Sequence, residues 1–119
     1  MVVMAELASM KCEACRAESP RATAEEINSY IAEIPGWKTV EHEGVLHLER
    51  RYKVKDFATA LELTNKIGTL AEQEGHHPAI TLQWGLVDVA WWTHAIRGLH
   101  RNDFIMAAKT EELFKALKK

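Results

Sequence analysis

The chain has 119 residues, 47% hydrophobic and 27% charged, a balance that fits one folded domain around one core and excludes a disordered chain. Its formal charge of −2 and the lack of a long run of like charge exclude a nucleic-acid arm as the default reading. No apolar stretch approaches the roughly 20 residues of a membrane span, and Met1-Val2-Val3-Met4-Ala5-Glu6 lacks the basic-then-apolar order of a signal peptide. A cytoplasmic protein with neither nucleic-acid nor membrane partners is expected.

Residues 1–20 are mixed in character, end in Glu18-Ser19-Pro20, and read as a loosely ordered leader ahead of a single domain over 21–119. The leader holds a lone CxxC, Cys12 and Cys15. A structural zinc site needs four ligands, and no second CxxC or HxxxH completes one; a thioredoxin-like role expects the motif inside a βαβ unit. Reduced thiols, a metal clip shared with another site or subunit, and redox activity all remain open for this pair.

Thr23 and Glu26 form a capping box, and Ile27, Tyr30, Ile31 and Ile34 recur at helical spacing until the breaker pair Pro35-Gly36. Trp37–Glu41 reads as a strand and Glu43-Gly44 as a turn. In the next strand, Val45–Val54, the residues Leu46, Leu48, Tyr52 and Val54 share one face, with Arg50 as the exception. The opposite face, His47, Glu49, Arg51 and Lys53, is expected to be solvated. A long helix capped by Asp56 runs to Gln73 or Glu74, with Phe57, Ala60, Leu61, Thr64, Ile67, Gly68 and Ala71 inward and Gly75 at its end. Strands at Ala79–Gln83 and Leu86–Thr93 flank a turn at Trp84-Gly85, and Arg101–Leu117 is an amphipathic helix. The order α-β-β-α-β-β-α predicts an α+β fold: a four-stranded antiparallel sheet with helices packed on one face.

Chemistry concentrates where the long helix gives way to the third strand. Pro78 biases His77 toward an extended backbone, so His76 and His77 project in different directions. If the last two strands pair through Trp84-Gly85, the end of the fourth returns beside the start of the third and delivers His94 to the same rim. Imidazole titrates near neutrality and can both give and take a proton. Three histidines can also form a zinc set, but adjacent residues pointed apart fit one ion poorly, so no metal is expected at this trio. On spacing alone, a polar loop accounts for His76-His77-Pro78 equally well. Glu72, one turn before His76, can orient an imidazole or lie solvated at the helix end. Asp103 can cap the last helix near His100 or aim His94 or a ligand's N–H groups. Trp37, Trp84, Trp91 and Trp92 read first as core or interface residues, and one at a rim can stack on a flat heterocycle.

Glu72-x3-His76-His77-Pro78, then Trp84, then Thr93-His94-x3-Gly98-Leu99-x3-Asp103 resembles the signature of the pterin-4a-carbinolamine dehydratases. Pro35-Gly36-Trp37 and Arg51-Tyr52-Lys53-Val54-Lys55-Asp56-Phe57 share in the likeness, which spans residues 22–117. It implies dehydration of a 4a-hydroxytetrahydropterin to quinonoid dihydropterin, in support of pterin recycling for aromatic amino acid hydroxylation. It also implies His76 and His94 as the acid–base pair, His77 and Thr93 as substrate-binding residues, and Glu72 and Asp103 as supporting carboxylates. No cofactor is implied, since the pterin is the substrate, and self-association into a dimer or tetramer is. Exposed Trp and Val of the last strand, with a free sheet edge, are expected to supply that contact. Ile80 replaces an aromatic residue common after the His-His-Pro, and His100 stands where a Ser or Thr cap is usual, which predicts a weaker cap. Vertebrate members of this family also bind a homeodomain transcription factor; no docking motif for such a partner is visible here. The complete histidine trio argues against a silent member acting as an assembly chaperone.

Overall fold

The computed structural model describes residues 4–10 and 21–117 of the chain. Cys12 and Cys15 lie outside the described residues. The elements are α1 (Met4–Ser9), α2 (Ala24–Ile31), β1 (Lys38–His42), β2 (Val45–Lys53), α3 (Phe57–Glu74), β3 (Ala79–Gln83), β4 (Leu86–Trp91), a 3₁₀ turn (His94–Ile96) and α4 (Arg101–Leu117). The four strands make one antiparallel sheet in the order β1-β2-β4-β3. Together with the helices, this is the α+β architecture that the alternation of hairpins and helices predicts.

Period-two alternation decides which sheet face is covered. Paired residues share a face, so Leu48 and Trp91, Tyr52 and Val87, and Val89 form one apolar surface, and all are buried. α4 lies on that surface and is enclosed more completely than an amphipathic helix requires. Phe104, Ile105, Met106, Ala107 and Ala108 are all fully buried in succession. The reason is α1, which covers the outer side of α4: Leu7 is fully buried in the core, and Lys109 Nζ donates to the Ala8 carbonyl at 2.7 Å. The expectation of a loose leader therefore fails for Met4–Ser9, whose few apolar residues carry no signal of their own.

Other boundaries moved for local reasons. The Thr23–Glu26 capping box forms in both directions, at 2.8 and 3.1 Å. α2 stops at Ile31 rather than Ile34, because Pro35 disfavours helical backbone at the residue before it, and Ile34 turns into the core. In α3 the inward stripe is Ala60, Leu63, Ile67 and Ala71, whereas Phe57 and Leu61 are 43% and 41% exposed. The apolar pattern was wide enough to be read one step off. β4 is an interior strand, flanked by β2 and β3, and Val87 and Val89 face the core. The last strand thus offers no free edge; the edges belong to β1 and β3.

Arg50, the odd residue on the inner face of β2, meets a buried partner. Its Nη1 lies 2.9 Å from Glu111 Oε1, and the same carboxylate oxygen accepts from Tyr52 Oη at 2.7 Å and Trp37 Nε1 at 3.0 Å. The guanidinium also lies 4.8 Å from the Tyr52 ring centroid and donates to the Pro35 carbonyl at 3.1 Å. Gly36, at φ 100°, leaves the room: a Cβ there would fall 1.8 Å from Arg50 Nη1. Burial first, then the bond to Glu111, pushes the Tyr52 phenol far above its ordinary range, so it remains a donor. Replacing Glu111 by Ala strands three donors around one site. The expected loss is roughly 3 kcal/mol of unfolding free energy, read by urea denaturation.

Candidate active site

The backbone sets the site before any side chain does. α3 ends on Gly75 at φ 64°, and the N–H groups of Gly75 and His76 both donate to the Ala71 carbonyl. This left-handed stop turns His76 inward, to 9% exposure, while Pro78 holds His77 extended and outward with its side chain 60% exposed. On the other side, Thr93 and Gly98 form an isolated antiparallel bridge, with the Thr93 N–H donating to the Gly98 carbonyl at 2.9 Å. The 3₁₀ turn carrying His94 sits inside that bridge and closes on Arg97 at φ 49°. Arg21 Nε fastens the turn through the Ile96 carbonyl at 2.8 Å.

Asp103, fully buried in the first turn of α4, joins these pieces. Its Oδ1 lies 2.7 Å from His76 Nε2, and its Oδ2 accepts from Thr93 Oγ1 at 2.8 Å and from the His100 N–H at 2.9 Å. The last of these ties the N-cap backbone to a side chain in the first turn of α4. His100 also caps from its side: its Nδ1 accepts from the Asn102 N–H at 3.1 Å. An imidazole nitrogen thus occupies the place of the usual hydroxyl. His76 also lies parallel to the indole of Trp91, with centroids 5.7 Å apart at 9°.

The candidate residues fall into three groups. His76, Thr93 and Asp103 form one hydrogen-bonded set; Asp103 aims His76, where the sequence suggested His94. His77 and Glu72 form a second, exposed pair, with Nε2 and Oε1 at 2.6 Å. His94 follows Thr93 in the chain, is exposed, and rests against Trp92 with ring centroids at 4.5 Å. Of the four tryptophans, Trp37 and Trp91 are core and Trp84 is 70% exposed at its turn. Trp92 is the one at the rim, and on its other side it stacks on His47, at 3.9 Å and 16°. His47 is therefore not a solvated residue, as its place in the alternation suggested. Its neighbour across the sheet is an aromatic that the local pattern of β2 does not announce.

The buried Asp103 carboxylate thus holds His76 and the Thr93 hydroxyl together at one end of a small α+β sandwich, with the exposed His94 next to Thr93 in the chain. The chain belongs to the pterin 4 alpha carbinolamine dehydratase family, whose model matches residues 20–113. A Syntrophotalea carbinolica protein assigned by name to the pterin-4-alpha-carbinolamine dehydratases is 56% identical over 110 residues, covering 92% of this chain and 98% of that protein. A crystal structure titled as a transcriptional coactivator/pterin dehydratase from Brucella melitensis superposes with a TM-score of 0.73 at 32% identity, over 79% of this chain and 98% of the other. A pterin dehydratase-like protein described as a RuBisCO assembly factor in the α-carboxysome shares the fold, with a TM-score of 0.57 at 19% identity over 66% of this chain and 88% of its own. No helix among the described residues is long and apolar enough to cross a membrane.

His47 titrates below its ordinary 6.5, because of partial burial first and the neighbouring His42 second. Between that depressed value and 6.5 the unfolded chain binds a proton that the folded chain refuses, so stability rises with pH through this window and falls on acidification. His47→Phe keeps a ring against Trp92 and removes the titration. Urea unfolding at a series of pH values below 6.5 is expected to show a shallower loss of stability in this variant than in the parent chain.

Proposed function

We propose that this protein dehydrates a 4a-hydroxytetrahydropterin to quinonoid dihydropterin by acid–base catalysis between His76 and His94. The observation that carries the reading is the 2.7 Å contact of His76 Nε2 with the buried Asp103 carboxylate. It commits Nε2–H as a donor and leaves Nδ1 to exchange protons with the substrate. In the reaction, the N5 proton passes to one imidazole and its electron pair forms the C4a–N5 double bond. The C4a–O bond breaks as the other imidazole protonates the hydroxyl, and water leaves. Charge and atoms balance without a cofactor. Asp103 stabilises the imidazolium that forms on His76 as it takes the N5 proton, and the exposed His94, which gives its proton to the leaving hydroxyl, regains one from solvent. His77, aimed by Glu72, and Thr93 bind and position the pterin ring. Trp92 is suited to stack on a flat heterocycle beside His94. The product is the oxidised pterin that a reductase restores for aromatic amino acid hydroxylation, in the cytoplasm.

Each imidazole is expected to contribute about 10²–10⁴-fold to the rate. Turnover of enzymatically generated carbinolamine tests this. The His76→Ala/His94→Ala double variant should lose the acceleration, while His77→Ala should raise KM with kcat largely retained. Unchanged turnover in the double variant refutes the assignment.

Family resemblance supports self-association as a dimer or tetramer. With β4 interior, the unpaired edges of β1 and β3 are the places for sheet-to-sheet contact. Sedimentation analysis should give a mass of at least twice the 13.5 kDa chain, and a proline at Thr81 in β3 should lower it if that edge is used.

A further inference from the structure

The sheet face that the helices leave open carries a cluster that the dehydratase reading does not use. Among the described residues, His42, His47 and Glu49 each place one ligand atom so that all lie within 4.8 Å of one another. His42 ends β1, and His47 and Glu49 are alternate residues of β2; the register sets all three on the open face. Their meeting point is one carboxylate oxygen. Glu49 Oε2 is 2.5 Å from His42 Nε2 and 3.9 Å from His47 Nδ1.

We propose that His42, His47 and Glu49 bind a divalent transition-metal ion of the zinc type, through ligands other than His76, His94 and Asp103. The inference does not rest on the dehydratase reading. A hydrogen bond accounts for the His42–Glu49 pair, but not for a second imidazole nitrogen 3.9 Å from the same oxygen. Two neutral imidazoles and one carboxylate suit zinc, cobalt or nickel, whereas calcium and magnesium prefer oxygen throughout. Metal–ligand bonds of about 2.0–2.2 Å around one ion place donors roughly 3.3 Å apart. The pair at 2.5 Å must open and the pair at 3.9 Å must close, movements that side-chain rotation supplies with the strands in place.

The support is rigid where it needs to be. Both elements are paired strands, and the His47 ring is held between Trp92 at 3.9 Å and His42 at 4.8 Å. His42, with its side chain 51% exposed, faces a depression of about 250 Å³ that also takes in Trp92 and His94, so water can complete the coordination. Coordination through His42 Nε2 requires the hydrogen between it and Glu49 to leave that nitrogen. Lys38 lies directly across the ladder from Glu49 and adds a positive charge on this face, which limits affinity.

The test is calorimetric titration of Zn²⁺, and Co²⁺ spectroscopy, on the full chain carrying Cys12→Ser and Cys15→Ser so that no thiolate competes. One equivalent should bind, with cobalt d–d bands of a nitrogen–oxygen site. His42→Ala and Glu49→Gln should each weaken binding by about tenfold or more, and His76→Ala and His94→Ala should leave it unchanged. Equal affinity in the His42 and Glu49 variants, loss of binding in His94→Ala, or no binding at about 100 μM ion, a free energy near −5.5 kcal/mol, each overturns the proposal. His42 is on the surface, so its variant separates ligand loss from misfolding.

Discussion

The carboxylate of Asp103 is the constraint on which the rest of the structure depends. A fully buried carboxylate is costly unless its lone pairs are used, and here three donors from three parts of the chain use them. One is the imidazole after α3, one the hydroxyl after β4, and one the backbone at the start of α4. The N-terminal end of α4 adds its own favourable field for a negative charge. The start of α4 and the proposed catalytic centre are therefore one construction. The bond that caps the helix and the bond that orients His76 share a side chain.

A second carboxylate anchors the middle of α4 as Asp103 anchors its start. Glu111 collects Arg50, Tyr52 and Trp37, which tie β2 and the segment before β1 to the same helix. Between these two polar anchors lies an unbroken apolar run, Phe104 to Ala108, enclosed by the sheet, α3 and α1. Hydrophobic burial alone would tolerate sliding of α4 along the sheet. Two directional, desolvated carboxylates about two turns apart set its position, and with it the distance between Asp103 and the histidine before β3.

Much of the fold was legible because periodicity speaks directly for strands with one wet face. The faces of β2 and β4 follow from Leu48, Tyr52, Val87, Val89 and Trp91, and the turns from Gly44 and Gly85, each at positive φ. α3 was legible as a helix but not in its exact facing. Phe57 and Leu61 are as apolar as Leu63, and only the neighbouring α4 and β3 decide which of them turns inward. α1 was not legible, since six residues carry too little pattern to stand out. The middle place of β4 was also hidden, because the pairing of β2 with β4 joins segments far apart in the chain.

By itself the sequence determined the local grammar: caps at Thr23 and Asp56, the left-handed stop at Gly75, the extended residue before Pro78, and the residue types that can move protons. Those depend on neighbours within a few positions, where backbone sterics and hydrogen-bond reach act. Tertiary structure decided which of those residues meet. It gave Asp103 to His76, Glu72 to His77, and Trp92 to both His47 and His94. It also brought His42 and His47 onto one carboxylate. Those pairings depend on register and on how α4 seats against the sheet, and such long-range placement leaves no period in the chain to be read.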